Sequence, residues 1–439
     1  MLKPHGNYML NRQLIVNGEP SQPLTEDRAD YAICPCHQNS LPLHHISSDT
    51  MAGIYIHIPF CKSRCIYCDF FSTTSLDRRK DYVDALIREW QCRKTETSDP
   101  IRTIYLGGGT PSLLDICDLQ RLLSVLPVRT ADEVTLECNP GDITPEKASA
   151  WRAMGINRLS IGVQSFCDPL LQRIGRRHNA EQARLAVRTA QDAGFDNISI
   201  DLIYGLPLPA GTDTTTALQV VQNDVEEALQ LNIQHISTYC LTFEDDTPLA
   251  RMLLRGEVVE TDEDTENTMY DWISTRLAQA GFEHYEISNF ALPSRRSQHN
   301  SNYWNNTPYI GLGAGAHSYD GQNRSWNPDD LEAYVRGTQS GSLVREMEHL
   351  SAVDRYNEMI MLGLRTDVGI LYSALHTPEK ALPYLQRGFL RVIIPNVAPI
   401  IISSTPDVSP FPAISHNARL VATQSGWHIL NTIIEDLME

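Results

Sequence analysis

Apolar positions along this chain follow two periods, and the periods alternate. Short apolar runs predict strands, and stretches with apolar residues three and four apart predict helices. The pattern predicts a strand over 54–58, then a helix over 80–93 with Tyr82, Leu86 and Trp90 on one face and Val83 and Ile87 beside them. A strand over 103–106 ends in Gly107, Gly108 and Gly109, and a helix over 117–126 follows. After a strand over 133–137, Thr144 and Pro145 suit the N-cap and first position of a helix that stops at Gly155. Further strands are predicted over 158–163, 197–203 and 235–241, and further helices over 180–193, 215–231 and 263–280. Six strand-then-helix units predict a parallel sheet wrapped by helices. In such folds the chemistry gathers in loops after the strands' C-terminal ends.

The rest of the chain reads differently. Residues 1–50 hold no sustained period, and carry Cys34, Cys36, His37, His44 and His45. Cys34-Pro35-Cys36 is not the spacing of a structural zinc site, so 1–50 reads as a disordered extension or an upstream mis-start before Met51. A core domain is expected over 51–290 and a connecting region, rich in Asn, Gly, Tyr and His, over 291–349. A C-terminal domain is expected over 350–439, with a helix around 356–364, a Pro-rich stretch over 395–412 and a closing helix near 429–437.

Charge and cysteines narrow the function. Among 439 residues, 54 are acidic and 36 basic, for a net charge of −18. That balance argues against nucleic acid and anionic membranes as non-specific partners. No apolar run is long enough to span a bilayer, and no basic segment leads into an apolar one as in a secretory signal, so a cytoplasmic location is expected. A peripheral membrane contact and a homodimer stay open. Ten cysteines in such a chain are expected to be thiols, metal ligands or catalytic groups.

Cys61, Cys65 and Cys68 lie in one loop directly after the first strand. Zinc prefers four ligands and paired Cys-x-x-Cys spacing, and three free thiols are the plainer alternative. On a [4Fe–4S] cube, three thiolates leave one iron for the amino and carboxylate groups of S-adenosylmethionine. Glu137, Gln164 and Asp201 are polar residues in or at the ends of three otherwise apolar strands, which points to one shared lumen. Cys92, Cys117, Cys138, Cys167 and Cys240 lack ligand spacing and read as buried thiols.

The stretches YIHIPFCKSRCIYCDF, YLGGGTPSLL, LECNPGDIT, RLSIGVQSF, DLIYGLP, YEISNFA and HNSNYWNNTPYIGLGAGAHSY occur in order. With them the chain resembles the radical-SAM superfamily, and within it the group of oxygen-independent coproporphyrinogen III oxidase and its haem-chaperone relatives. The resemblance is strong over 51–345. It fades afterwards, apart from 362–366 and 426–431. It implies an α/β fold, an incomplete (β/α)6 barrel of partial TIM type with a small C-terminal domain. It also implies a [4Fe–4S] cluster on Cys61, Cys65 and Cys68, with S-adenosylmethionine contacts from Tyr55, Gly108, Gly109, Thr110, Glu137, Gln164, Arg176 and Asp201. Tyr67 is placed to stack on adenine, and His57 reads as a structural neighbour of Tyr55.

The oxidase carries a further cysteine two residues past the third, where this chain has Phe70. That favours the chaperone branch, with haem as a third cofactor. Its His299-Asn300-x-x-Tyr303-Trp304 motif is associated with haem, which makes His299 the candidate axial ligand and His317 a second candidate. The resemblance then implies delivery of haem to respiratory haemoproteins. The alternative is the oxidase itself, a radical enzyme that decarboxylates propionates in porphyrin biosynthesis. A radical-SAM enzyme with an unrelated substrate is a third class.

Overall fold

A computed structural model describes residues 32–33, 51–207, 214–394 and 417–439. The Cys34-Pro35-Cys36 fragment and the Pro-rich stretch lie outside the described residues.

Six strands form the parallel heart of the fold: β1 (Ala52–Ile58), β2 (Ile101–Gly108), β3 (Glu133–Cys138), β4 (Arg158–Gln164), β5 (Ile198–Tyr204) and β6 (His235–Cys240). They pair in chain order, each parallel to the next. Beyond β6 the sheet continues antiparallel through the hairpin β7 (Glu283–Glu286) and β8 (Asn289–Ala291). Beyond β1 it continues through β9 (Tyr309–Leu312), which runs parallel to β1. The antiparallel strands β10 (His317–Tyr319), β11 (Asn323–Trp326) and β12 (Val344–His349) follow, and Ala32–Ile33 pairs with the start of β12. Among the described residues this thirteen-stranded sheet keeps two separate edges, as an open barrel does.

The six strands share one alternation. Ile54, Ile104, Val134, Leu136, Leu159, Ile161, Ile198, Ile200 and Ile236 are fully buried on one face and join the cluster that the helices complete. The other face carries His57, Thr103, Glu133, Thr135, Glu137, Arg158, Ser160, Ser199, His235 and Ser237, and these are buried too. Alternation of this kind ordinarily marks a half-solvated strand. Here the polar face turns into the barrel, so its groups must find partners inside the protein or in a ligand.

Two helices tighten the barrel. On α1 (Arg79–Arg93), Glu89 and Arg93 form a buried ion pair at 2.8 Å. Glu89 also accepts from the Gly313 N–H at 2.8 Å, Tyr334 Oη at 2.7 Å and Asn327 Nδ2 at 2.8 Å. Arg93 donates to the Gly311 carbonyl at 2.6 Å and to Ser318 Oγ at 2.9 Å. Helix α1 is thereby fastened to the glycine-rich loop after β9. At the opposite end, the short helix Gln298–Trp304 plugs the barrel floor. Glu133 at the start of β3 accepts from the N–H of Gln298 at 2.9 Å and of His299 at 3.0 Å, which caps the helix from across the barrel.

Residues 356–394 and 417–437 contribute a separate apolar cluster around a three-stranded antiparallel sheet. It meets the barrel where Ile287 N–H donates to the Arg365 carbonyl at 3.0 Å and His428 bonds Asn267 and Asp271. Among the described residues no helix is long and apolar enough to cross a membrane.

Candidate cofactor site

The cysteine loop leaves β1 at the barrel mouth. Its ends are pinned by backbone bonds from Cys61 N–H to the Thr73 carbonyl at 2.9 Å and from Thr73 N–H to the Pro59 carbonyl at 2.7 Å. Cys61, Cys65 and Cys68 line one concavity, which opens to solvent. Lys62, Arg64, Arg176 and Arg177 line it as well, so its rim is cationic. Burial pushes the Cys61 thiol up and the Cys68 thiol up to about 12. Ligation must therefore displace protons from them.

The glycine run after β2 packs against this loop. The Gly109 N–H donates to the Ile58 carbonyl at 2.8 Å, and a Cβ on Gly109 would lie 2.8 Å from the Pro59 backbone. Gly108 adopts φ 107°, and a Cβ there would stand 2.6 Å from the His57 ring. Close approach by the protein's own atoms thus requires both glycines. Thr110 Oγ1 lies 3.6 Å from Cys61 Sγ. His57 accepts the Tyr55 hydroxyl on Nδ1 at 3.1 Å and donates from Nε2 to the Phe71 carbonyl at 2.8 Å. Burial lowers its pKa to about 4, so the ring is neutral and holds that tautomer.

Glu137 ends β3 inside the barrel. Its Oε2 accepts the Gly108 N–H at 3.2 Å. Its Oε1 is buried and makes no hydrogen bond, although the Tyr105 phenol stands nearby. Burial, with Asp201 adding to it, raises the carboxyl to about 8. Asp201 accepts from Ser160 Oγ at 3.3 Å, and burial raises it too. Gln164 holds φ 71°, a left-handed backbone rare outside glycine, at a register shift between β4 and β5.

Three arginines in the 173–177 segment part company. Arg176 donates to Cys65 Sγ at 3.5 Å and to the Gly162 carbonyl. Arg177 faces Asp142 at 3.7 Å, and Arg173 donates to the Glu257 carbonyl at 3.2 Å. Tyr67 packs with Ile66 against the apolar cluster of Leu170, Ile174, Ile203 and Leu249. Tyr55, Tyr67, Gly108, Gly109, Thr110, Glu137, Gln164, Arg176 and Asp201 thus all belong to the mouth or upper lumen.

His299 does not. His299 lies on the floor helix, beside Gly53 and Thr103, roughly 16 Å of strand from the end of β1. It is 1% exposed. Its Nδ1 pairs with Thr103 Oγ1 at 2.8 Å and its Nε2 with the Tyr303 hydroxyl at 2.9 Å, while its ring stacks on Tyr105. Burial, with Arg158 adding to it, lowers its pKa to about 3. The open imidazole expected of an axial ligand is therefore not what this setting offers; iron reaches Nε2 only by displacing Tyr303. His317 lies on β10 and stacks on Trp326. Cys92 and Cys117 correct the expectation of buried thiols: both are exposed, because they fall off the apolar stripes of their helices.

Two features had no signal in the sequence pattern. Asp142 ties the pocket rim together, accepting from Lys62 Nζ at 3.1 Å and Ser112 Oγ at 3.0 Å. Arg158 opens β4 as a fully buried cation inside the barrel.

Comparison with known proteins agrees with this architecture. The family model of the Radical SAM superfamily matches residues 55–209. Coproporphyrinogen III oxidase from Escherichia coli, a radical SAM enzyme, has the same fold at a TM-score of 0.70 and 20% identity, over 89% of this chain and 90% of that one. Fold and cysteine loop define a radical-SAM protein, a class whose members use a [4Fe–4S] cluster and S-adenosylmethionine. Over 331 residues the chain is 39% identical to the haem chaperone HemW of Lactococcus lactis, covering 74% of this chain and 84% of that one. Over 328 residues it is 34% identical to the haem chaperone HemW of Bacillus subtilis, covering 73% and 85%. The chain belongs to the HemW family.

Proposed function

We propose that the protein is a haem chaperone. In this reading Cys61, Cys65 and Cys68 hold a [4Fe–4S] cluster, S-adenosylmethionine lies across the barrel mouth, and haem is bound and passed to respiratory haemoproteins in the cytoplasm. The observation that carries the reading is the similarity to haem chaperones together with Phe70, which stands where the oxidase has its additional cysteine.

The residues present fit the two mouth cofactors. Soft thiols with a cationic rim suit an anionic thiolate cluster. The unpartnered Glu137 Oε1 suits a ligand that brings a cationic donor, such as the methionine ammonium. When bound, the cluster and S-adenosylmethionine supply one-electron chemistry. The chain's own part is positional. Arg176 holds Cys65 and the Gly162 carbonyl together, Thr110 supports Cys61, and His57 fixes the Tyr55 hydroxyl. Glu137 keeps its proton near neutral pH until a cation arrives.

For haem, His299 remains the proposed ligand, through Nε2 once Tyr303 has moved, with His317 second. Incubation with coproporphyrinogen III, a reductant and S-adenosylmethionine should give no decarboxylated product. Conversion would contradict the chaperone reading.

A further inference from the structure

The barrel holds a buried cation that the site above does not use. Arg158 is 1% exposed. Its Nε and Nη1 are buried and make no hydrogen bond, and no ion pair forms with it among the described residues. A guanidinium has five donors and keeps its charge. Buried without a carboxylate, it is among the most costly groups in a protein. Nearby groups are committed elsewhere. Glu133 caps the floor helix, and Asp201 accepts from Ser160. His235 bonds Ser199 at 2.7 Å and Tyr285 at 2.8 Å, and His299 bonds Thr103 and Tyr303.

Strand register fixes its depth. Tyr55 pairs with Tyr105, Tyr105 with Thr135 and Thr135 with Arg158, so the four share one inner row. The next inner row toward the mouth carries Glu137 opposite Ser160. Arg158 therefore starts about 7 Å of strand below Glu137, two residues along. Thr135 Oγ1 in its own row and Glu137 Oε1 above it are likewise buried without a partner. Three unsatisfied groups thus line one track from the mouth into the lumen.

We propose that Arg158, with the Thr135 hydroxyl, forms an interior carboxylate-binding position reached from the mouth past Glu137. A guanidinium takes a carboxylate through two parallel hydrogen bonds, which neutralises the charge as water cannot. The inference rests on the function proposed above, which supplies such carboxylates in the two haem propionates.

The test uses reconstituted wild type and Arg158→Met. Each is titrated with haem and haem dimethyl ester, and with metal-free protoporphyrin IX and its dimethyl ester. Thermal unfolding of the cofactor-free proteins runs alongside. One of the two acids should bind wild type about 10- to 100-fold more tightly than its carboxylate-free partner. Arg158→Met should erase that preference and unfold no earlier than wild type, because an unpaired buried charge has gone. Arg158→Lys, which keeps the charge without the fork, should recover part of the preference. The inference is overturned if neither pair of probes is distinguished, or if the preference survives Arg158→Met. Earlier unfolding with unchanged preference would also overturn it, by marking a hydrated structural arginine. Failure of haem itself to bind would instead remove the chaperone reading, and the metal-free porphyrin pair would still decide on Arg158.

Discussion

Replacing Glu137 by Gln should stabilise the cofactor-free protein at alkaline pH while weakening cofactor binding. The carboxyl titrates near 4.5 when unfolded and at about 8 when folded, mainly because it is buried. Between those values the native state holds a proton that the unfolded state has lost, so stability falls as pH rises through the window. One group contributes about 1.4 kcal/mol per pH unit. From pH 6.5 to 8, above the range of the buried histidines, wild type should lose roughly 2 kcal/mol on account of Glu137. Gln has the same shape and no such titration. Urea denaturation at pH 6.5 and pH 8, followed by tryptophan fluorescence, should show the variant gaining about 2 kcal/mol on wild type between the two pH values. With reconstituted protein, S-adenosylmethionine should bind the variant about 10- to 100-fold more weakly, for loss of a charge-assisted hydrogen bond. A stability difference that does not change with pH, or that favours wild type more at pH 8, would refute the reasoning.

Other perturbations test other parts of the account. Glu89→Ala leaves Arg93 with Glu96 as its remaining carboxylate and deprives the Gly313 N–H, Asn327 and Tyr334 of their buried acceptor, and should cost about 3–5 kcal/mol in denaturant titrations; a loss below about 1 kcal/mol would mean that the network is dispensable. His57, His178, His284 and His299 are lowered to between about 3 and 4 by burial, so the unfolded state binds more protons below pH 6.5. Together with the raised Glu137 and Glu286, this places maximal stability near pH 6.5, and a maximum above pH 8 in a series of melting temperatures would contradict it. Simultaneous replacement of Cys61, Cys65 and Cys68 by Ala should abolish iron and sulfide incorporation; retention of four irons would remove the cluster assignment. Tyr303→Phe frees His299 Nε2 and should tighten haem binding if His299 is the ligand, whereas unchanged affinity and an unchanged Soret band would count against it.

The sequence showed the barrel better than its interior. The 158–163 run became Arg158–Gln164, and the 180–193 run became Ala180–Asp192, because buried apolar faces dictate both strand and helix. The floor helix Gln298–Trp304 lies in the region expected only as a connection. Its residues are polar, and its cap comes from Glu133, more than a hundred residues away. The exposed strand Val344–His349 has too little apolar content to announce itself. The short helix Asp168–Arg173 packs only two buried leucines and escaped for the same reason. In the site, the cysteine loop and Glu137 were legible from position after a strand. The choice among Arg173, Arg176 and Arg177 was not legible from local sequence, since only tertiary contacts to Cys65, Asp142 and Glu257 separate them. The burial of the polar strand face, and with it the solitude of Arg158, follows from barrel geometry that no local pattern records.

The measurement that bears most directly on the proposed function is an anaerobic haem titration of cluster-reconstituted protein, followed by mixing with an apo-haemoprotein acceptor. The account predicts a saturable Soret change at one equivalent of haem and transfer of that haem to the acceptor. Binding that never saturates, or haem that stays behind when the acceptor is added, would contradict it.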